Sequence, residues 1–238
     1  MTRVDAQTAH VLHTRPYRDS SLLVEFITPD YGRVSGVVRG VRSKGKTAKQ
    51  RRSMMQPLVP LLISWMGKSD LKTITSFESS AAALPLQGRR LFSAIYVNEL
   101  MVRLMPHYDG NAQVYSLYQW VLQALLLESL IEVPLRQFEL RLLQFLGYGI
   151  DLDYEMGSGA EIVAGRRYFL EPDRGFNWLP PAAVTASAEP RLFNGEDLIA
   201  IKQEVFDPQL RRVAKRLCRL ALQPHLGVKP LKSRELFI

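Results

Sequence analysis

The chain has 238 residues, 47% of them hydrophobic, and carries 31 Lys and Arg against 23 Asp and Glu for a formal charge of +8. That apolar content supplies one or two cores and excludes intrinsic disorder as the default state. The single cysteine, Cys218, excludes an internal disulfide and a multi-cysteine zinc site, and the lack of an apolar stretch near the start or of any run approaching about 18 apolar residues argues against a secretory signal or a membrane span, so a cytoplasmic protein is expected.

Residues 6–79 read as short strands at 10–14, 21–28, 33–39, 58–65 and 71–77, with a tight-turn signal, PDYG, at 29–32. Five short strands with a long connection after the third predict an α+β protein that opens, over residues 1–80, with a five-stranded oligonucleotide-binding β-barrel. Gly36 is expected to let the third strand bend. Tyr17, Tyr31 and Trp65 are candidates for stacking on bases, with barrel core as the competing fate.

The connection after the third strand, residues 39–52, carries Arg39, Arg42, Lys44, Lys46, Lys49, Arg51 and Arg52, two glycines and no acid. It reads as a mobile polycationic loop. Each cation that neutralises a phosphate releases condensed counterions and tightens binding without reading sequence, so nucleic acid is the first partner to test; a solvated charge run is the bland alternative. The same segment matches the phosphate-binding pattern G-x-x-x-x-G-K-[ST], from Gly40 through Gly45 and Lys46 to Thr47. The residues after Thr47 lack the apolar periodicity of the helix that such a loop feeds, and the surroundings lack a parallel sheet, which leaves nucleotide binding a minor reading.

From about residue 81 to 238 the periodicity is helical. Leu91, Ile95, Val102 and Met105 mark a first helix, and Val114, Leu117, Val121 and Leu125 a second. A third is expected to begin after Pro134 and to stop at Gly147-Tyr-Gly149. Residues 150–195 look irregular, with a short hairpin near 167–170, and two further helices are expected near 195–204 and 208–222. On the last, Leu210, Val213, Leu217 and Ala221 share one face while Arg212, Lys215, Arg216 and Arg219 share another, a single-signed face that suits a polyanion better than an ordinary solvated surface does. Lys229, Lys232 and Arg234 add cations at the same end. By segment, residues 1–80 hold 13 Lys and Arg against 6 Asp and Glu, residues 81–205 hold 10 against 15, and residues 206–238 hold 8 against 2. Two basic ends around an acidic middle suggest a binding face assembled from both ends.

Four stretches carry a resemblance: VLHTRPYRDSSL at 11–22, YGRVSGVVRGVRSK at 31–44, FELRLLQFLGYG at 138–149 and KPLKSREL at 229–236. In this order they resemble the RecO family of bacterial recombination mediators over essentially the whole chain. The resemblance implies an oligonucleotide-binding barrel, a helical C-terminal domain, no enzymatic turnover and no cofactor. It further implies binding to single- and double-stranded DNA, annealing of complementary strands, and help in replacing single-stranded DNA-binding protein with recombinase, in company with RecR and on the nucleoid. Arg136 is similar to the family position that meets the acidic C-terminal tail of single-stranded DNA-binding protein. On a helix Leu140 and Leu143 would share its face, which suits a peptide ending in a carboxylate, although core packing accounts equally well for the leucines. Where many members carry two C-x-x-C pairs, this chain has DLDYEMG at 151–157, so no zinc is expected and the insert at 150–195 must hold together by packing, through Tyr154, Phe169, Phe176 and Trp178.

Two other classes compete. An adaptor would use the basic segment to dock an acidic protein partner, with DNA contact incidental. A metal-dependent nuclease would use Asp151, Asp153 and Glu155, although a carboxylate trio in a loop is more often simply solvated. His10 and His13, three apart on a strand, are expected to face opposite sides and so not to share a metal.

Overall fold

A computed structural model of the chain describes residues 3–237. The chain divides into two compact units: one runs to Ser129 and resumes at Pro230, and the other spans Leu130–Lys229.

The first unit contains the five predicted strands, β1 (Arg3–Tyr17), β2 (Ser21–Thr28), β3 (Gly32–Val38), β4 (Pro60–Met66) and β5 (Leu71–Ser79). Hydrogen bonding runs β1-β2-β3-β5-β4 and back from β4 to β1, so the strands form a ring, antiparallel except for the β3–β5 pair. β1 is longer than its apolar run suggested because it pairs with β2 and β4 in succession, and irregularities between Val4 and Gln7 and between Val11 and His13 let it turn from one partner to the other. Ala9, Val11, Val24, Phe26, Val34, Val38, Leu61, Ile63 and Trp65 fill the interior. Each of the larger side chains contributes about 1.5–3 kcal/mol on burial.

Gly36 has a steric role in the packing of the ring. A Cβ there would lie 2.5 Å from Ile74 Cδ1 and 3.3 Å from the Phe26 ring, so the glycine leaves the space that the Ile74 side chain fills. Trp65 is 2% exposed and belongs to the core; Tyr31 meets it edge-on from outside, with ring centroids 5.1 Å apart. The PDYG turn forms as expected, Thr28 Oγ1 accepting from the Tyr31 N–H and donating to the Gly32 carbonyl.

The connection between β3 and β4 is not the expected mobile loop: Lys46–Met54 is a helix, α1. Its residues favour helix, Arg51 and Arg52 sit in the last turn where cations complement the helix dipole, and Val41 before it and Met55 after it are buried in the ring. Ala48 is its one buried residue, which is why no apolar period marks it.

Helices α2 (Gly88–Leu104) and α3 (Ala112–Leu127) complete this part of the unit. They join the ring through a buried polar network: Asn98 Nδ2 donates to the Leu12 carbonyl at 2.9 Å, the Tyr118 hydroxyl donates to Asn98 Oδ1 at 2.9 Å, and His10 Nδ1 lies 3.1 Å from the Tyr115 hydroxyl. On β2 every residue but Glu25 is buried, so this strand is covered outside as well as in. Residues 230–237 return to α2. Glu99 accepts from the backbone N–H groups of Lys232 (3.0 Å) and Ser233 (2.8 Å) and from the Ser233 hydroxyl (2.7 Å).

The second unit holds α4 (Glu132–Phe145), β6 (Arg167–Glu171), β7 (Gly175–Trp178), β8 (Leu192–Asn194), α5 (Gly195–Lys202) and α6 (Pro208–Leu222). α4 starts two residues before Pro134, which still falls in the first turn, where its missing N–H leaves no bond unmade. The helix stops as predicted: Gly147 takes φ 82°, the Tyr148 N–H donates to the Leu143 carbonyl and the Gly147 N–H to the Gln144 carbonyl, an arrangement that caps the last carbonyls. The insert at 150–195 is more regular than expected, a three-stranded sheet ordered β7-β6-β8. Of its four predicted anchors Phe176 is buried, Phe169 is half-buried, and Tyr154 and Trp178 are exposed; Ile162, Tyr168, Leu170 and Phe193 pack with Phe176 instead, against Leu198, Leu210 and Leu217. Alternation on β6 explains the exchange, since Tyr168 and Leu170 share the face that Phe169 lacks.

Candidate nucleic-acid interface

Six of the seven predicted cations of residues 39–52 are exposed: Arg39, Lys44, Lys46, Lys49, Arg51 and Arg52. α1 displays Lys46, Lys49, Arg51 and Arg52 because only Ala48 turns inward, and no acidic side chain occurs in the segment to neutralise them. Arg51 lies over the Phe77 ring at 4.6 Å, which steadies its guanidinium while leaving it exposed. Arg42 differs from the rest. It is half-buried, its Nη1 donates to the Arg18 carbonyl at 2.9 Å, and its backbone N–H donates to the Ser20 carbonyl at 2.9 Å, tying the segment to the β1–β2 turn.

Gly45, at φ 127°, leads directly into α1, so a helix does follow the G-x-x-x-x-G-K-[ST] match, contrary to the reading of its periodicity. The surrounding strands differ from those of a nucleotide-binding loop: β3 and β4 are not neighbours, and β3 is flanked by antiparallel β2 and by β5.

The second predicted basic set lies on α6, in the other unit. Asp207 caps this helix by accepting from the Leu210 N–H at 2.7 Å, and Pro208 begins it. Leu210, Leu217 and Ala221 are buried and Val213 half-buried, while Arg212, Lys215 and Arg219 are exposed, as the periodicity indicates. Arg216 is used internally, its Nη2 donating to the Leu192 carbonyl at 2.7 Å and its guanidinium lying 4.3 Å from the Phe193 ring. Lys215 is shifted below the ordinary lysine value, chiefly by burial and then by Arg219 and Arg136, with Glu132 and Glu139 acting the other way. Of the cations expected to extend this set, Lys232 and Arg234 belong to the first unit, because the chain has returned there by Pro230.

Arg136, Leu140 and Leu143 lie on α4 as expected, but mostly inside the unit. Arg136 is 7% exposed and donates to Glu139 Oε1 at 2.7 Å, Leu143 is buried, and Leu140 packs half-buried against the sheet core. The carboxylate trio has local structural partners. Asp151 accepts from the N–H groups of Asp153 and Tyr154, Asp153 pairs with Lys202, and Glu155 is buried beside Ser158 and Arg166. Among the described residues no group of three or more His, Cys, Asp and Glu is placed to hold a metal, and no helix is long and apolar enough to cross a membrane. His10 is buried and His13 exposed, but they do not face opposite sides as expected: the irregularity between Val11 and His13 sets them opposite Ile27 and Glu25, two apart on β2, and so on one side of the sheet.

One cluster was missed from sequence because its members lie far apart in the chain. Ser35 Oγ donates to Glu25 Oε1 at 2.7 Å and sits 3.2 Å from His107 Nε2, while Glu25 Oε2 lies 3.5 Å from that same nitrogen and 3.9 Å from Arg33 Nε. A nucleophile and its orienting acid would occupy opposite nitrogens of the imidazole, so this geometry fastens β2 and β3 to residue 107 and is not a hydrolytic triad.

Comparison with known proteins agrees with the fold at both ends. The family models described as "Recombination protein O N terminal" and "Recombination protein O C terminal" match residues 1–82 and 85–235. The DNA repair protein RecO of Cellvibrio japonicus is 44% identical over 238 residues, covering 99% of this chain and 97% of that one. Proteins of the same name from Haemophilus influenzae, 42% identical over 235 residues, and Serratia proteamaculans, 40% identical over 233, cover 98% and 97% of this chain and 95% and 92% of their own. Matched along nearly its whole length and in both halves, the chain belongs to the RecO family of DNA repair proteins.

Proposed function

We propose that this protein is a non-enzymatic recombination mediator that binds single- and double-stranded DNA, anneals complementary strands, and helps load recombinase onto DNA coated with single-stranded DNA-binding protein. The observation that carries this reading is the single-signed, exposed face of residues 39–52, supported by the family's role in DNA repair. Neutralising the backbones of two strands lowers the repulsion that opposes their pairing, so a cationic surface alone can promote annealing. Arg212, Lys215 and Arg219 offer a second exposed cationic surface, and Arg216 contributes to the field from within. No metal or cofactor enters this mechanism. The protein would act in the cytoplasm on the nucleoid, with RecR.

The acidic tail of single-stranded DNA-binding protein would be received near Arg136. Because Arg136 is paired with Glu139 and nearly covered, the exposed Lys215 and Arg219 are the groups that would meet the tail first. Leu143 acts as core.

Salt dependence of single-stranded DNA binding tests the main reading. Changing Arg42, Lys44, Lys46, Lys49, Arg51 and Arg52 to Ala should weaken binding and reduce the slope of log affinity against log salt by about 0.7 for each phosphate no longer neutralised. Coincident slopes would instead favour the adaptor reading, in which the segment docks an acidic protein.

A further inference from the structure

The face that a five-stranded oligonucleotide barrel ordinarily offers, on its second and third strands, is closed in this protein by the first unit's own residues. β2 is buried along seven of its eight residues. On β3, Arg33 donates to the Val102 carbonyl of α2, the Arg33 carbonyl accepts from the Tyr108 N–H at 3.0 Å, and Ser35 is held by Glu25 and His107. A nucleic-acid strand held by residues 39–52 therefore needs a different continuation.

The β1–β2 turn provides one. Arg42 fixes this turn to the basic segment through the carbonyls of Arg18 and Ser20. Arg18 adopts φ 50°, a backbone conformation that disfavours side chains other than glycine and asparagine, and its guanidinium lies 5.3 Å from the Tyr17 ring. Behind the turn, Tyr17 pairs with Ser21, Arg15 with Leu23 and His13 with Glu25, so strand alternation sets His13, Arg15 and Tyr17 in one row. His13 and Arg15 are exposed and Tyr17 half-exposed; residues 6–18 contain no acid, and the nearest carboxylates are Asp19 in the turn and Glu25, which is partly buried opposite His13. Cations interleaved with an aromatic ring are what a single strand uses, phosphates meeting the charges and a base stacking on the ring.

We propose that the single-strand path runs from the 39–52 segment over the β1–β2 turn onto this row of β1, with Tyr17 stacking on a base, Arg15 and Arg18 meeting phosphates, and Arg42 acting as a positioning residue that joins the two walls. The inference rests on the nucleic-acid reading given above. An acidic protein partner would also meet the cations but would gain no stacking from Tyr17.

Binding of a fluorescent oligothymidylate to the full chain across a salt series tests it. Tyr17→Leu should weaken binding about ten-fold at an unchanged salt slope, while Tyr17→Phe, which keeps the ring, should bind as the wild type does. Arg15→Ala with Arg18→Ala should lower the slope by about 1.4, two phosphates at about 0.7 each. Arg42→Lys keeps its charge but gives up the guanidinium tie, so Tyr17→Leu should cost less in that background than alone. If the six-site variant of the 39–52 segment loses affinity while the Tyr17 and Arg15/Arg18 variants bind normally, the path is wrong and the mediator reading survives. If the wild type binds no oligothymidylate, the mediator reading fails and the path with it. Equal losses for Tyr17→Leu and Tyr17→Phe would overturn the stacking role, and loss of poly-glutamate binding with oligothymidylate binding intact would assign the row to an acidic protein.

Discussion

His10 illustrates how a polar residue can be an asset to the fold and a pH liability together. Burial lowers its pKa from 6.5 to about 4, so it is neutral in the folded ring beside Tyr115. The unfolded chain takes up a proton near pH 6.5 and the folded chain does not until about pH 4, so stability falls as pH drops across that window, by up to about 3 kcal/mol. Urea midpoints followed from pH 7 to pH 4 should decline, and His10→Gln should flatten the decline. Gly36 makes a steric prediction. Gly36→Ala places a methyl 2.5 Å from Ile74 Cδ1 and should cost about 1–3 kcal/mol, read as a lower urea midpoint, with DNA affinity at low denaturant unchanged. At this scale the sequence was legible where residue type and period coincide, as with the buried Leu217 of α6. For Gly36 it suggested a bend and not the packing, because the side chain that needs the space is Ile74, on a strand remote from it in the chain.

Among the elements, α6 and α1 show why one helix could be read and the other not. α6 buries an apolar stripe against the sheet core, and that stripe is the signal which periodicity detects. α1 rests on flanking anchors, Val41 and Met55, and on helix-favouring cations, so its sequence carries charge and no period. Of the 150–195 insert the hairpin near 167–170 was legible, as β6 and β7, while the third strand was not: β8 is three residues long and is held by pairing with distant β6, which no local pattern records. Charge patterning on α6 was correct in direction yet counted Arg216 with its neighbours. Arg216→Lys gives up the bond to the Leu192 carbonyl and the stacking on Phe193, and should cost about 1 kcal/mol of stability while leaving the salt slope of DNA binding unchanged. Arg212→Ala with Arg219→Ala should do the reverse, sparing stability and lowering the slope.

The whole molecule is organised by the return of residues 230–237 to α2. Burial alone would raise the Glu99 carboxyl, but the N–H and hydroxyl of Ser233, the N–H of Lys232 and the nearby Arg103 together hold it below the ordinary value. A carboxylate so depressed stabilises the fold above its unfolded pKa and loses that contribution as pH falls through the folded one, so the Lys232 and Ser233 amides should lose protection, measured against the intrinsic exchange rate at each pH, before the rest of the unit does. Glu99→Ala, which leaves those donors unmatched, should cost about 1–3 kcal/mol and accelerate the same amides at neutral pH.

The Glu99 clamp also inverts the order in which the protein is made and finished. Leu130–Lys229 is an insertion between two parts of the first unit, so the second unit has all its residues before the first does. At about 5–20 residues per second, roughly 6 to 25 seconds of translation separate the emergence of α2 from that of the segment which docks on it. During that interval the nascent ring stands with Glu99 answered by Arg103 of its own helix but not by Lys232 and Ser233, and a chain cut at Ser129, however natural that boundary looks, would remain in this unfinished state.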